Sequence, residues 1–394
     1  METIEQWSIS ARPKTLDEMA GAAGLKSFVR NAAKTDVWPR AILLTGKYGT
    51  GKTTAAEIIA KTMVCKHLDA DGNPCNECPD CKSVNDETFG RDIKMKGADT
   101  LSRSQDGSIV ESVKKFVGEA MATPFFGSKR KVIIFEEIQE LNNKPGAMNA
   151  LLKALENKSS KTYWIFTAME PLKGSGISSR FQTFNFYDQA AADIVRYLFE
   201  TSKRIPYNNE TVWEYALREG GKDFVTKGFL EIAKSCDGSL RTATQMLEQC
   251  IRTHTFTLGQ IRSRFGIVSE EEIMDAFYDI ANNTKTERAL DTLSQIDNSN
   301  YTRFYYFGAS YIKDAEMAKA FGMIKKLKTV KNKETGEDEQ TLSVQTAGDP
   351  WFEKAVLLTK APNYEKLSNV FVKFNSNGYF SKDLFITELL KVYN

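Results

Sequence analysis

The stretch "AILLT" at residues 41–45, followed directly by "GKYGTGKTT" at 46–54, decides the fold of the first half of the chain. Gly46, Gly51, Lys52 and Thr53 satisfy the pattern G-x-x-x-x-G-K-[ST], and the apolar run before them predicts a strand, a loop and then a helix. In that context backbone N–H groups surround the phosphates of a nucleotide, the lysine reaches the terminal phosphates, and the threonine hydroxyl binds Mg²⁺. The alternative is a chance glycine-rich turn. The residues predicted to contact the nucleotide here are Gly46, Tyr48, Gly49, Thr50, Gly51, Lys52, Thr53 and Thr54.

Length and composition predict a soluble, intracellular protein of two or three domains. The chain has 394 residues, of which 26% are charged, and its net charge is only +2. Any contact with nucleic acid must therefore come from a local basic patch. No apolar stretch approaches the roughly 18 residues needed to span a bilayer, and the N-terminus lacks a signal pattern. Four of the six cysteines fall within one short stretch, which fits a reducing compartment better than a secreted disulfide scaffold.

The order of apolar patterns divides the chain into an α/β half and a helical half. Continuous apolar runs at 41–45, 131–135 and 163–168 alternate with helical patterns from Lys52 and around 147–157, as expected for parallel strands buried on both faces. After about residue 188 helical patterns dominate. Near 265–270 a junction is expected, with Ser269 as a plausible N-cap. The charged stretch 325–341 has few large apolar residues and predicts an exposed loop or a disordered insertion.

A pair of carboxylates follows the second apolar run, in "KVIIFEEIQ" at 131–139. A P-loop site needs carboxylates at the end of a second strand, one to hold the metal and one to orient the attacking water. Glu136 and Glu137 are the candidates for these two roles, in that order. A solvated strand end is the other interpretation. Glutamate stands at 136 where aspartate is usual, and the extra methylene moves the acidic group outward.

The four clustered cysteines form the pattern C-x9-C-x2-C-x2-C. Two C-x2-C steps that share Cys78 can direct three thiolates at one centre, and Cys65 at the end of the predicted P-loop helix can complete a tetrahedral Zn²⁺ site. A full set of four ligands leaves no open position, so the metal would be structural. Unmetallated thiols, or His67 in place of Cys65, are the alternatives. The predicted zinc ligands are Cys65, Cys75, Cys78 and Cys81.

Several segments in this order resemble one family, the bacterial DNA polymerase III gamma/tau clamp-loader subunits, and more broadly the AAA+ clamp loaders. They span about residues 11–250, and the C-terminal third matches only in helical character. The resemblance implies an AAA+ P-loop ATPase domain at 1–188 with a zinc insert at 65–81. It also implies a helical lid domain at 189–266 and an all-α collar domain at 267–394. The matching segments are "ARPKTLDEMAG", the P-loop, the cysteine insert, "FEEIQ", "MNALLKALE", "ISSRF" and "DGSLRTATQMLEQ".

The resemblance also implies roles for two arginines. Arg180 in "ISSRF" matches the arginine finger that reaches the nucleotide site of the neighbouring subunit, although Phe181 replaces the usual cysteine. Arg241 in "GSLR" matches the second sensor arginine, which contacts the phosphates in cis from the lid. A solvated or ion-paired surface arginine is the alternative at each position. The first sensor stays unassigned, because Met169 stands where threonine or asparagine is usual and Thr167 lies two residues earlier.

The function implied is that of an ATP-hydrolysing motor subunit that loads a ring clamp onto primer-template DNA. Expected cofactors are ATP, Mg²⁺ and structural Zn²⁺, and expected partners are other clamp-loader subunits in a pentameric spiral, the sliding clamp and DNA. Arg103 and Lys144 are candidate DNA contacts by position. Two alternatives remain, a non-hydrolysing scaffold of the delta-prime kind and another AAA+ DNA remodeller such as a Holliday-junction motor. The expected location is the cytoplasm of a bacterium or of an infected bacterial host, with no membrane partner.

Overall fold

The computed structural model describes residues 6–82, 93–98, 109–121, 130–156, 161–170, 172, 180–284, 286–296, 301–331, 338–375 and 382–393. The chain divides into two compact units, Met1–Thr257 and Leu258–Asn394. We describe each unit by itself. The three-domain division at 188 and 266 stays a prediction.

The first unit is built on a five-stranded parallel sheet. Its strands are β1 (Ala41–Gly46), β2 (Ile93–Gly97), β3 (Lys131–Glu136), β4 (Thr162–Ala168) and β5 (Gln182–Phe186). They lie in the order β2-β3-β4-β1-β5, and every neighbouring pair is parallel. The helices described around the sheet are α1 (Trp7–Ser10), α2 (Ala23–Thr35), α3 (Lys52–Val64), α4 (Pro79–Lys82), α5 (Ile109–Ala120) and α6 (Pro145–Glu156).

The sheet is covered on both faces, and the three central strands supply both layers of the core. Ile42 and Ile165 face a cluster formed with α2 and α3. Leu43 and Phe166, one position further along the same strands, face the opposite cluster formed with α5 and α6. Successive side chains of a strand point to opposite faces, so strands buried on both sides are apolar throughout. The predicted α/β fold is confirmed.

Four helices follow the sheet within the first unit: α7 (Ala191–Ser202), α8 (Val212–Asp223), α9 (Phe229–Ser235) and α10 (Leu240–Arg252). A short antiparallel pair, β6 (Pro206–Tyr207) and β7 (Glu210–Thr211), precedes α8. Ser239 is the N-cap of α10, since its hydroxyl accepts from Thr242 N at 3.2 Å. This cap fixes where α10 meets the P-loop.

The second unit is mainly helical, as the fold class predicted. Its helices are α11 (Leu258–Phe265), α12 (Glu270–Asn282), α13 (Thr286–Ser294), α14 (Tyr301–Phe321), α15 (Pro350–Thr359), α16 (Tyr364–Asn375) and α17 (Lys382–Leu390). Ser269 caps α12 through a capping box with Glu272, as expected. Aromatic rings fill the centre of this unit, where Phe277 packs edge-on against Phe304 and Phe371.

The expectation of a loop at 325–341 is wrong. Residues Ile324–Lys331 form β8 and Asp338–Gln345 form β9, paired antiparallel with Ile324 opposite Gln345 and Lys331 opposite Asp338. A charged composition indicates solvent exposure, but it does not by itself indicate irregular backbone. A hairpin, however, satisfies the backbone hydrogen bonds of its two strands locally, so it forms without the apolar alternation that marks a buried strand.

Candidate nucleotide site and cysteine cluster

The P-loop lies at the carboxyl edge of the sheet, where β1, β3, β4 and β5 all end. Gly46 has φ +146°, and a Cβ there would lie 2.1 Å from the carbonyl oxygen of Phe186 at the end of β5. Gly49 has φ +76°, and its Cβ would lie 2.0 Å from Ser239 Oγ. Glycine is therefore required at both positions by backbone conformation and by close approach. The loop borders a cavity of about 330 Å³.

The lysine of the P-loop is held inside the loop. Lys52 Nζ donates to the carbonyl oxygen of Lys47 at 2.6 Å, and Thr50 Oγ1 donates to the same oxygen at 2.8 Å. Lys52 is 8% exposed. Burial lowers the pKa of its ammonium, while the nearby Glu137 and Glu136 act in the opposite direction. A cation held in this way is oriented toward the cavity that it lines.

The structure brings the strand-end carboxylates to the P-loop. Thr53 Oγ1 donates to Glu136 Oε1 at 2.6 Å, and both residues line the cavity. Glu137 also lines it, from a left-handed backbone conformation with φ 56°. Its N–H donates to Thr167 Oγ1 at 3.2 Å. A non-glycine residue in this conformation is uncommon and often marks a functional position.

Thr167 and Met169, which lie near the position of the unassigned first sensor, differ in burial and in their contacts. Thr167, 2% exposed, supports the backbone of Glu137, whereas Met169 is 39% exposed at the rim. The N–H of Met169 donates to Gln139 Oε1 at 3.2 Å. Gln139 is the last residue of the segment "FEEIQ", to which the sequence analysis assigns no role beyond the two glutamates, and it lies on a short 3₁₀ turn after Glu137. It ties the end of β4 to the end of β3.

The start of α10 contributes Arg241 to the same cavity. The N–H groups of Leu240 and Arg241, at the start of α10, point to the carbonyl oxygen of Gly49 with N···O distances of 3.0 and 3.4 Å. The guanidinium of Arg241 lies over the ring of Tyr48, with 5.1 Å from Cζ to the ring centroid, and donates through Nη1 to the Tyr48 hydroxyl. The predicted cis arginine and the P-loop are thus in direct contact.

An N-terminal segment forms a wall of the cavity that the sequence analysis did not assign to the site. Its lining residues are Ser8, Arg12, Pro13, Met19 and Ala20. Arg12 Nη1 donates to Glu57 Oε1 of α3 at 3.1 Å. The Trp7 N–H donates to Glu248 Oε2 of α10 at 2.9 Å. Four of these five lining residues, all but Ser8, lie within the segment "ARPKTLDEMAG", which carries part of the family resemblance.

Arg180 lies outside the described lining of this cavity. Its Nε and Nη2 donate to Glu156 Oε1 at the end of α6, at 3.1 and 2.7 Å. Both partners are partly exposed, with side-chain exposures of 36% and 56%. The next residue, Phe181, is buried edge-on against Phe166 in the sheet, with ring centroids 5.3 Å apart. The structure therefore anchors the backbone at Arg180 and leaves its guanidinium at the surface.

Of the two candidate DNA contacts, Lys144 lies within the described residues. Lys144 is exposed and directly precedes α6, and its carbonyl oxygen accepts from the N–H groups of Ala147 and Met148. Arg103 lies outside the described residues.

The four cysteines form a compact cluster of sulfur atoms. All four Sγ atoms lie within 4.8 Å of one another, and the Cys65–Cys75 and Cys75–Cys81 separations are 3.6 and 3.9 Å. Tetrahedral zinc with Zn–S bonds of about 2.3 Å would place sulfurs about 3.8 Å apart, whereas a disulfide needs about 2.0 Å. Among the described residues, the group that could hold a metal ion consists of the four cysteines, and His67 is not part of it. The donor set and its spacing fit zinc.

The parallel sheet and the P-loop at its carboxyl edge have the arrangement of a nucleotide-binding α/β domain. Residues 22–190 match a family model described as "DNA polymerase III, delta subunit". The chain is 32% identical over 242 residues to the DNA polymerase III subunit tau of Bacillus subtilis, covering 61% of this chain and 38% of that protein. It is 28% identical over 258 residues to the gamma/tau subunit of Mycoplasma pneumoniae, covering 64% and 34%.

Among solved structures, the RuvB protein of Thermotoga maritima gives a TM-score of 0.44 at 15% identity, covering 80% of this chain and 93% of that one. The sequence matches confirm the predicted resemblance to bacterial DNA polymerase III gamma/tau subunits. It spans little more than a third of the length of the two curated relatives. Within the described residues, no helix is both long enough and apolar enough to cross a membrane.

Proposed function

We propose that the chain is the ATP-hydrolysing motor subunit of a sliding-clamp loader. The contact between Thr53 Oγ1 and Glu136 Oε1, 2.6 Å long, carries this proposal. It brings together two oxygen donors of the kind that Mg²⁺ prefers, and it does so although glutamate replaces the usual aspartate. A scaffold subunit that binds no nucleotide has no need of this arrangement.

Different residues of the cavity serve ATP binding and ATP hydrolysis in this proposal. The P-loop backbone and Lys52 bind the phosphates, and Thr53 with Glu136 would hold Mg²⁺, which supplies charge neutralisation at the transferring phosphoryl group. Glu137, held by Thr167, orients the attacking water. Arg241 adds positive charge from the lid. The side chains assigned these roles belong to residues that line one cavity. The Thr167 hydroxyl supports this arrangement by accepting a hydrogen bond from the backbone N–H of Glu137.

Arg180 acts in trans, at the nucleotide site of the adjacent subunit. Its ion pair with Glu156 is partly exposed, and such pairs contribute only about 0–1 kcal/mol. Giving up this ion pair for a phosphate therefore costs the guanidinium little. Phe181, buried against the sheet, keeps the exchange local to the side chain.

The partners proposed are other clamp-loader subunits, the ring clamp and primer-template DNA. Arg103 and Lys144 are proposed to contact the DNA backbone, which reads charge and shape without base sequence. Zinc held by the four cysteines has a structural role, because four cysteine ligands leave no open coordination position. The C-terminal helices are proposed as the collar through which subunits assemble.

ATP hydrolysis by the assembled complex, with and without clamp and primed DNA, tests the proposal. We expect strong joint stimulation, abolished by Lys52→Ala and by Arg180→Ala. Complexes assembled from a mixture of the two variants should recover part of the activity, because an intact P-loop of one chain can meet an intact Arg180 of another. Glu156→Ala is the matched control and should retain activity.

Each other outcome identifies a different function. ATP binding without hydrolysis, in a complex that still loads clamps, would assign the chain a scaffold role of the delta-prime kind. Hydrolysis stimulated by branched DNA and indifferent to the clamp would favour another AAA+ remodeller. Failure of the mixed variants to recover any activity would exclude Arg180 as a finger in trans.

A further inference from the structure

The start of α10 is docked on the P-loop through the backbone. A helix N-terminus has unsatisfied N–H groups, and here two of them, from Leu240 and Arg241, share the carbonyl oxygen of Gly49 as acceptor. Ser239 Oγ lies so near Gly49 that a Cβ on this glycine would meet it at 2.0 Å. The P-loop therefore fixes the position from which the side chain of Arg241 departs.

The side chain of Tyr48 fixes where the guanidinium of Arg241 goes. The ring lies under the guanidinium at 5.1 Å, and the Tyr48 hydroxyl accepts from Nη1. Tyr48 is 59% exposed, so it is not held in place by core packing. The phosphate-binding function of the loop uses backbone N–H groups and does not require an aromatic side chain at this position.

We propose that Tyr48 is a positioning residue for Arg241, holding its guanidinium over the cavity before nucleotide binds. This inference rests on the proposed ATP-binding function. The guanidinium of Arg241 donates one N–H group to the tyrosine hydroxyl and packs one of its faces against the ring. Its remaining N–H groups stay available to a phosphate. An arginine side chain released from the ring would have to be ordered at the moment of binding, and that ordering would weaken the affinity.

Tyr48 and Arg241 are placed where they can orient a bound phosphate rather than block its entry. Tyr48 and Arg241 line the same cavity as Lys52, so a phosphate held by the loop lies within the region that they border. A partly exposed cation–π contact corresponds to about a two- to fivefold change in binding. We therefore expect Tyr48→Ala to weaken ATP binding by about this factor.

The experiment is a double-mutant cycle on ATP affinity, measured by calorimetric titration of the full chain with ATP and Mg²⁺. The variants are Tyr48→Ala, Arg241→Ala and the combination, with Tyr48→Leu as a second removal if the alanine variant unfolds. Tyr48→Phe keeps the ring and should restore most of the affinity. Tyr187→Ala is the matched control, since Tyr187 is an exposed tyrosine (73%) outside the described lining.

Support requires that Tyr48→Ala weakens ATP binding in the presence of Arg241, has no effect when Arg241 is alanine, and is reversed by phenylalanine. Equal losses in both backgrounds would overturn the inference, as would unchanged or tighter binding by Tyr48→Ala. A wild-type chain that binds no ATP would instead refute the proposed function. The wild-type titration thus separates the two failures.

Discussion

Replacing Gly49 with alanine should separate the P-loop from the lid. A residue with a Cβ at φ +76° is disfavoured by about 1–2 kcal/mol. The new Cβ would also meet Ser239 Oγ at 2.0 Å. That hydroxyl is fixed because it accepts from the Thr242 N–H as the helix cap, and its displacement costs about 1 kcal/mol. The docked lid should lose about 2–3 kcal/mol in all.

Hydrogen exchange at Leu240 and Arg241 measures this loss directly, because their N–H groups point to the carbonyl oxygen of Gly49. If opening of the lid governs their exchange, 2–3 kcal/mol corresponds to about 30- to 150-fold faster exchange. ATP affinity should fall in parallel.

Gly24→Ala is the control for Gly49→Ala. Gly24 is an exposed helical glycine of α2, with no heavy atom within 4 Å of an added Cβ. Alanine there should stabilise the chain by about 0.5–1 kcal/mol. The reasoning is refuted if exchange at 240–241 and ATP affinity are the same in both alanine variants.

Two further perturbations test the walls of the cavity. Cys81→Ser removes a buried sulfur atom from the cluster, so bound zinc, measured by a colorimetric chelator, should be lost and the melting temperature should fall. Cys236→Ser, at a buried cysteine outside the cluster, should keep the metal. Retention of zinc by the serine variant at 81 would contradict the proposed ligand set. Glu248→Ala leaves the N–H of Trp7 without its acceptor and should cost about 1–3 kcal/mol in urea denaturation. The exposed Glu200→Ala should change stability by less than about 0.5 kcal/mol, and equal effects of the two would argue against an N-terminal segment tied to the lid.

The strands that the sequence predicted are the central ones, and those that it missed are the edges. β1, β3 and β4 are buried on both faces, and such strands appear as continuous apolar runs. β5, with the sequence "QTFNF", is an edge strand with only Phe186 fully buried. β2, "IKMKG", lies at the other edge and alternates lysine with apolar residues. An edge strand has one neighbour and partial exposure, so its composition resembles that of a loop.

The candidate site was predictable where parallel strands bring motifs together, and not elsewhere. The P-loop follows β1 and Glu136 ends β3, and only β4 lies between these two parallel strands, so their proximity at one sheet edge follows from the fold class. The contact of Arg180 with Glu156 depends instead on the path of the chain between α6 and β5. Tyr48 was assigned to the nucleotide through its loop backbone, and its side-chain contact with Arg241 needed the lid in place.

The N-terminal segment at 7–20 is hydrogen-bonded both to α10 and to the cysteine-bearing segment at 65–81. Its Trp7 N–H binds Glu248 of the lid, and the side chain of Asn73 in the cysteine module accepts from the Leu16 N–H at 3.0 Å. Asn76, between two of the cysteines, donates to the Lys14 carbonyl oxygen at 3.0 Å. The cysteine cluster and the lid therefore hold one wall of the cavity from opposite ends. Loosening either end should reduce nucleotide affinity even though neither Cys81 nor Glu248 lines the cavity in the described chain.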